Sequence, residues 1–306
     1  MSVCVVYREL LEEGKHILAQ AEIVDAECDA WLLLEHVSGM NRAQFFLHQQ
    51  DTVPDELEAD YRGMLRKRAE HIPLQHLTGT QEFMGLEFQV SPDVLIPRQD
   101  TETLVEQVLH EQKDPDIRLL DLCTGSGCIA ISLAVKGGYE SVTATDLSEE
   151  ALKVAERNAK MHGFAVVSHT ETQAAPEQAG HPFIFRQGDL FTAMPQSEAG
   201  TFDIITSNPP YIPSAVIEEL EPEVRDHEPR GALDGTADGL YFYRILAEEC
   251  AKHLTPGGHV YFETGYDQGA AVKELLDIHG FKDTRVIQDL TGKDRVVCGT
   301  WQAAGV

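Results

Sequence analysis

Asn208-Pro209-Pro210-Tyr211 is the stretch of this chain best suited to chemistry, and it follows directly on an apolar run at 202–207. Two successive prolines fix φ and remove two backbone donors, so the neighbouring carbonyls and the Asn carboxamide stand out in a rigid arrangement. An amide or arylamine nitrogen is a poor nucleophile because its lone pair is delocalised, and it offers two N–H donors in one plane. Asn208 Oδ1 and the Pro209 carbonyl can accept both, which raises the electron density on the nitrogen and aligns it with an electrophile. Tyr211 can pack on the planar group as a lid. Positioning of this kind supplies roughly 7–11 kcal/mol of barrier reduction. A proline-rich turn that merely ends a strand would need neither Asn before the prolines nor Tyr after them. Taken alone, the tetrapeptide suits amide and adenine nitrogens equally.

An electrophile donor has a matching site upstream. Leu119-Leu120-Asp121-Leu122 reads as a strand that runs into Cys123-Thr124-Gly125-Ser126-Gly127, and a helix starts at Cys128. Gly125 and Gly127 allow backbone to approach a ligand closely. The amides that open the helix point into the crevice beyond the strand ends, where open α/β sheets bind ligands. Asp146 ends the next strand 19 residues after Gly127, the spacing of a carboxylate that grips adenosine ribose hydroxyls. A nicotinamide dinucleotide site shares these features but wants a third glycine, and Ile129 and Ala130 follow here. With no pyrophosphate to cradle, the two-glycine loop suits S-adenosylmethionine better. Its sulfonium would leave as a neutral thioether, so no strong base is demanded of the protein. Asp121 either meets the amino end of that ligand or pins the loop. After the third strand, Asp189 is placed to accept from an adenine amino group and Leu190 to cover the ring, or Asp189 simply forms a turn.

The elements that position these residues alternate strand and helix from about residue 98. Strands are expected at 117–122, 141–146, 183–187, 202–207 and 258–263, with helices at 101–112, 128–136, 148–162, 239–253 and 266–279. Such alternation predicts a doubly wound, mostly parallel sheet of α/β class. Runs at 281–288 and 295–301, joined at Gly292-Lys293, should form a C-terminal antiparallel hairpin. Residues 1–72 read as a small helical domain: Leu10, Leu11, Ile17 and Leu18 recur at helical spacing, as do Trp31, Leu32, Leu34 and Val37. Gly39 marks a stop, and Pro54-Asp55 opens a helix carrying Leu57, Tyr61 and Leu65. Residues 73–97 read as a β-hairpin linker, 98–306 as the catalytic domain, and 169–182 as a surface loop.

Composition narrows the function. Of 24 basic and 51 acidic residues, 7 and 17 fall in residues 1–97, so neither part of the chain is basic, and the formal charge is -27. Most non-specific nucleic-acid affinity comes from phosphate neutralisation. Direct nucleic-acid binding is therefore not expected, which disfavours an adenine-N6 DNA or RNA methyltransferase. The dense cluster Arg62, Arg66, Lys67 and Arg68 reads as a solvated helix face. Six scattered cysteines (Cys4, Cys28, Cys123, Cys128, Cys250, Cys298) lack the paired spacing of a zinc site or disulfide framework. Reduced thiols in a cytoplasmic protein are the expectation, with no metal, no membrane span and no leader segment.

Several further stretches fit one family. They are Pro73-Leu74-Gln75-His76-Leu77-Thr78-Gly79, Leu95-Ile96-Pro97-Arg98-Gln99-Asp100-Thr101-Glu102, Val224-Arg225-Asp226, Glu228-Pro229-Arg230, Leu233-Asp234-Gly235 and Asp238-Gly239-Leu240. With the two sites above, the chain from about 73 to 300 resembles the PrmC/HemK protein-glutamine N5-methyltransferases. The resemblance implies a Rossmann-like class I methyltransferase that uses S-adenosylmethionine. Its substrate would be the side-chain nitrogen of the Gln in the Gly-Gly-Gln loop of class 1 peptide-chain release factors. It implies cofactor contacts at Cys123, Thr124, Gly125, Ser126, Gly127, Asp146, Leu190 and Asn208. Asn208, Pro209, Pro210 and Tyr211 would hold the Gln, and the helical domain would help to dock the release factor. Cys123 departs from the family's usual Gly, and its Cβ crowds the methionine portion. Leu190 stands where some relatives carry an aromatic residue. No role is assigned to residues 98–102, and Asp100 is expected to cap the following helix. A catalytically silent cofactor-binding module is the alternative of another class, and the intact Asn208 and Tyr211 speak against it.

Overall fold

The computed structural model describes residues 5–168 and 182–302. Cys4 and most of the expected 169–182 loop lie outside them. The chain divides into two units, one of residues 1–80 with 221–227 and the other of 81–220 with 228–306.

The first unit is helical: α1 (Tyr7–Gln20), α2 (Ala26–Ser38), α3 (Arg42–His48), α4 (Asp55–Ala69), α5 (Leu74–Thr78) and, from the later segment, α10 (Pro222–Arg225). Leu10, Leu18, Leu33, Leu34, Tyr61 and Leu65 form its core. Gly39 ends α2 in the left-handed conformation, as the stop signal required. The basic cluster on α4 is not one solvated face. Arg68 is buried, with Nε 2.7 Å from Asp29 Oδ2 and its other nitrogens turned to Glu223 and the Ile72 carbonyl. A buried guanidinium persists only where its donors are met in this way. Arg62 is drawn back along the helix to Glu58 and across to Glu13.

The second unit opens with a hairpin, β1 (Thr80–Phe83) and β2 (Leu86–Gln89), whose Phe83 and Phe88 enter the core. Then come α6 (Gln99–Glu111), β3 (Arg118–Leu122), α7 (Cys128–Gly137), β4 (Ser141–Asp146), α8 (Glu149–Met161), β5 (Val166–Val167), β6 (Phe183–Gln187) and β7 (Phe202–Ser207). The remainder is α9 (Ser214–Ile217), α11 (Arg230–Leu233), α12 (Tyr241–Glu249), β8 (Leu254–Glu263), α13 (Gly269–Ile278), β9 (Lys282–Gln288) and β10 (Asp294–Thr300). The eight-stranded sheet runs β5-β6-β4-β3-β7-β8-β10-β9 and is parallel except at β10, which pairs antiparallel with β8 and β9. Helices α6, α7 and α8 pack on one face, and α12 and α13 on the other. The doubly wound α/β sheet and its C-terminal antiparallel pair are as the residue pattern predicts.

Boundaries shift where side chains intervene. α13 starts at 269 rather than 266 because the Gln268 carboxamide accepts from the Gly265 amide and donates to the Tyr211 carbonyl. α12 ends at Glu249 and finishes in a 3₁₀ turn. β8 begins four residues early, because Leu254 pairs with Phe202 before the register shifts. Asp100 does not cap α6. Arg98 stands at the cap position, and Asp100 lies in the first turn, 2.9 Å from Arg295 Nη2.

β3 is the point from which the strand order runs outward in both directions. Loops leaving the C-terminal ends of β3 and β7 therefore face one crevice, the topological switch point of a doubly wound sheet. Leu122 pairs with Ser207, so Cys123 and Asn208 emerge side by side. Gly127 makes the turn from β3 into α7 possible. Its φ is +82°, and a Cβ there would lie 2.8 Å from Ile131 Cδ1 and 3.2 Å from Ala155 Cβ. Gly127→Ala should destabilise the protein by about 2–4 kcal/mol, combining left-handed strain with overpacking. A denaturant midpoint equal to wild type would contradict this account of the turn.

Candidate active site

The crevice holds a cavity of about 230 Å³. Its wall includes Cys123, Thr124, Gly125 and Ser126 from the glycine loop, Asp146 from the end of β4, Asp189 and Leu190 after β6, and Asn208 and Pro210 after β7. Nine of the expected site residues thus converge on one space. Gly127 lies behind it as the N-terminal cap of α7. Pro209 and Tyr211 are also off the wall.

Asp146 organises the floor. Its Oδ2 accepts from the Gly125 amide at 2.8 Å, and its Oδ1 accepts from Ser148 at 2.9 Å. Each oxygen keeps a second lone pair for a ligand hydroxyl. Burial raises its pKa, and the Ser148 and Gly125 amides pull it back. Asp121 is wholly buried, is absent from the wall, and accepts from Thr124 and Thr206 hydroxyls, both at 2.7 Å. Of its two expected roles it performs loop pinning, with its pKa pushed up to about 7 by burial. Asp189 lies on the cavity wall and makes no capping bond with its side chain to the turn that follows.

Two wall residues carry strain. Cys123 has φ 58° and Leu190 φ 46°, a region that L residues adopt at a cost of about 1–3 kcal/mol and that clusters at functional sites. Burial and the neighbouring Asp146 hold the Cys123 thiol far above its ordinary pKa, which favours the neutral form.

Tyr211 is not a lid. Its ring packs inward, and its hydroxyl points to buried Glu263 at 3.4 Å. The segment after it is clamped from outside. Gly235 N donates to the Ile212 carbonyl at 2.9 Å, and Ile212 N to Leu233 at 3.0 Å. Gly239, at φ +71°, sits so close that a Cβ would lie 2.3 Å from the Tyr211 carbonyl oxygen. The Leu233-Asp234-Gly235 and Asp238-Gly239-Leu240 motifs thus serve to hold the tetrapeptide.

Residue types and spacing did not reveal Arg98, Thr101, Leu147 or Phe242, all on the wall, or Glu228, which pairs with Arg98. Only the unassigned Leu95-to-Glu102 motif hinted at the first two. Arg98 is the sole cation among the lining residues, against Asp93, Asp146 and Asp189. This balance opposes a pyrophosphate and favours a ligand with a sulfonium and an ammonium, whose single carboxylate Arg98 can meet. The residues present fit S-adenosylmethionine.

A glycine loop after β3, an acid ending β4 and an Asn-Pro-Pro-Tyr turn after β7, on this sheet, define a class I S-adenosylmethionine-dependent methyltransferase. Residues 9–79 match the family described as PrmC N-terminal domain, and 113–295 match a methyltransferase domain family. The chain is 38% identical over 292 residues to the release factor glutamine methyltransferase of Geobacter sulfurreducens, covering 95% of each chain. It is 39% identical over 287 residues to that of Cereibacter sphaeroides, covering 94% of this chain and 95% of that one. The chain belongs to the release factor glutamine methyltransferase family. Among the described residues no helix is long and apolar enough to cross a membrane, and no group of metal-binding side chains is gathered.

Proposed function

We propose that the enzyme transfers the methyl group of S-adenosylmethionine to the side-chain nitrogen of the Gln in the Gly-Gly-Gln loop of class 1 peptide-chain release factors. The observation that carries this reading is the emergence of Asn208 beside the glycine loop, from paired ends of neighbouring strands. The cofactor supplies an electrophilic methyl group on a sulfonium. Asp146 would hold the ribose hydroxyls, Asp189 and Leu190 the adenine, and residues 123–127 the methionine portion.

Asn208 Oδ1 and the Pro209 carbonyl accept the two N–H bonds of the substrate amide. The nitrogen lone pair is thereby aimed at the methyl carbon. With the cofactor bound, its sulfonium would give up the methyl group and leave as a neutral thioether, and the nitrogen held by Asn208 and Pro209 would release its proton to solvent. Pro210 keeps the turn rigid, and Tyr211 anchors it from behind. The helical unit serves release-factor docking, for which α3 offers exposed Phe46 and Leu47.

Incubation with methyl-labelled cofactor and either a release factor or duplex DNA tests the reading. Label should enter the release factor; label in DNA alone would overturn the proposed substrate.

A further inference from the structure

Each end of the Asn-Pro-Pro-Tyr turn meets a buried polar side chain. Asn208 Nδ2 lies 3.4 Å from the Thr101 hydroxyl, on the first turn of α6. Tyr211 Oη lies 3.4 Å from Glu263 Oε1, at the end of β8. Thr101 and Glu263 are 2% and 1% exposed, so solvent does not compete for either. Among the described residues Glu263 Oε2 is buried without a hydrogen-bond partner, and Thr101 is the adjoining hydroxyl that favours its ionised form. Such a buried acceptor calls for a donor. The turn is also held by Gln268, which donates to the Tyr211 carbonyl at 2.9 Å.

We propose that Glu263, acting through Thr101, is a positioning residue that sets which way the Asn208 carboxamide faces. The inference rests on the methyl-transfer reading above and adds what orients its central acceptor. An ionised carboxylate only accepts, whereas a threonine hydroxyl has one hydrogen to donate. When Thr101 gives that hydrogen to Glu263, its oxygen can only accept from Asn208. The carboxamide must then turn its NH₂ to Thr101 and its Oδ1 to the crevice, where a substrate N–H needs an acceptor. Protonated Glu263 reverses the chain. It donates to Thr101, Thr101 donates to Asn208 Oδ1, and the NH₂ that faces the crevice opposes the substrate's own N–H bonds. Long contacts of this kind commonly shorten when a substrate closes the site.

The groups facing Glu263 are Thr101 and Asp100 from α6, Tyr211, Arg295 from β10, Tyr243 from α12 and Cys128 from α7. Burial dominates among them and pushes its pKa up to about 7, against the opposing pull of Thr101 and Arg295. The reversal is therefore expected near pH 7. Transfer should decline as pH falls through about 7.

Thr101→Val removes the hydroxyl at constant shape, Thr101→Ser restores it, and Glu263→Gln removes the titration. Thr101→Val should lower kcat about tenfold with little change in KM for the release factor, since the lost hydrogen bond is worth about one such factor. Thr101→Ser should recover to within about twofold of wild type. The acid decline in kcat should be present in wild type and absent in Glu263→Gln. Thr101→Val with wild-type kcat, Thr101→Ser no better than Thr101→Val, or an acid decline retained in Glu263→Gln would each overturn the proposal.

The Asn208 side-chain NH₂ resonances give a readout independent of transfer. They should move with pH near 7 in wild type and stay fixed in Glu263→Gln. If they behave so in a protein that methylates no release factor, the substrate reading fails and the positioning role stands. If they do not move in an active enzyme, the positioning role alone fails.

Discussion

Asn208→Ala should lower kcat on the order of a thousandfold while cofactor affinity remains measurable. On the proposed mechanism the substitution removes one preorganised acceptor aimed at the reacting nitrogen, a loss comparable to removing one donor from an oxyanion hole, about 10²–10³-fold. The upper end applies because alignment and electronic activation are lost together. The Pro209 carbonyl remains, but one acceptor cannot fix a planar group in two dimensions. The glycine loop and Asp146 are untouched, so calorimetric titration with S-adenosylhomocysteine should still give saturable binding. Retention of most of the activity would mean that the nitrogen is held elsewhere.

Asp146→Ala should weaken cofactor binding about a hundredfold, or about 2.8 kcal/mol. The two charge-assisted hydrogen bonds that the proposed ribose contact would make account for that order of magnitude. The structure complicates a simple reading, because the same carboxylate holds the Gly125 and Ser148 amides. Weaker binding could therefore follow from a loosened loop alone. A 2′-deoxy analogue of S-adenosylhomocysteine separates the two effects. Wild type should prefer the ribose form, and Asp146→Ala should lose most of that preference through the coupling that a double-mutant cycle measures. If the preference survives in the variant, Asp146 anchors the loop and does not grip the ribose.

Much of this architecture was legible in the residues because its determinants are local. β4, β6 and β7 begin and end where apolar runs meet polar or glycine residues, and their observed bounds equal the expected ones. The glycine loop, Asp146 and Asn208 each follow a strand directly, so the parallel frame was enough to bring them together. What was not legible depends on partners distant in sequence. Arg68 belongs to a basic run, and nothing local indicates that Asp29 and Glu223 meet it in a buried site. Tyr211 could as well have faced the crevice; its inward turn depends on Glu263, 52 residues later. Asp100 fits a helix cap because the cap pattern is local, whereas its partner Arg295 comes from β10, far along the sequence. β5 is only two residues long and shows no period.

The organisation of the site also explains why residues away from the cavity matter. Asp121 pins the glycine loop without reaching the ligand space, and Gly239 lets its segment press against the Tyr211 backbone. Substitution at either should impair the enzyme through the geometry of the residues proposed to hold substrate and cofactor.

Mass analysis of the Gly-Gly-Gln peptide of a release factor, recovered after incubation with enzyme and S-adenosylmethionine, tests the central claim most directly. One added methyl group, located by fragmentation on the Gln side chain and missing with Asn208→Ala, is the expected result. A peptide left unmodified by active enzyme, or a methyl group on another residue, would contradict it.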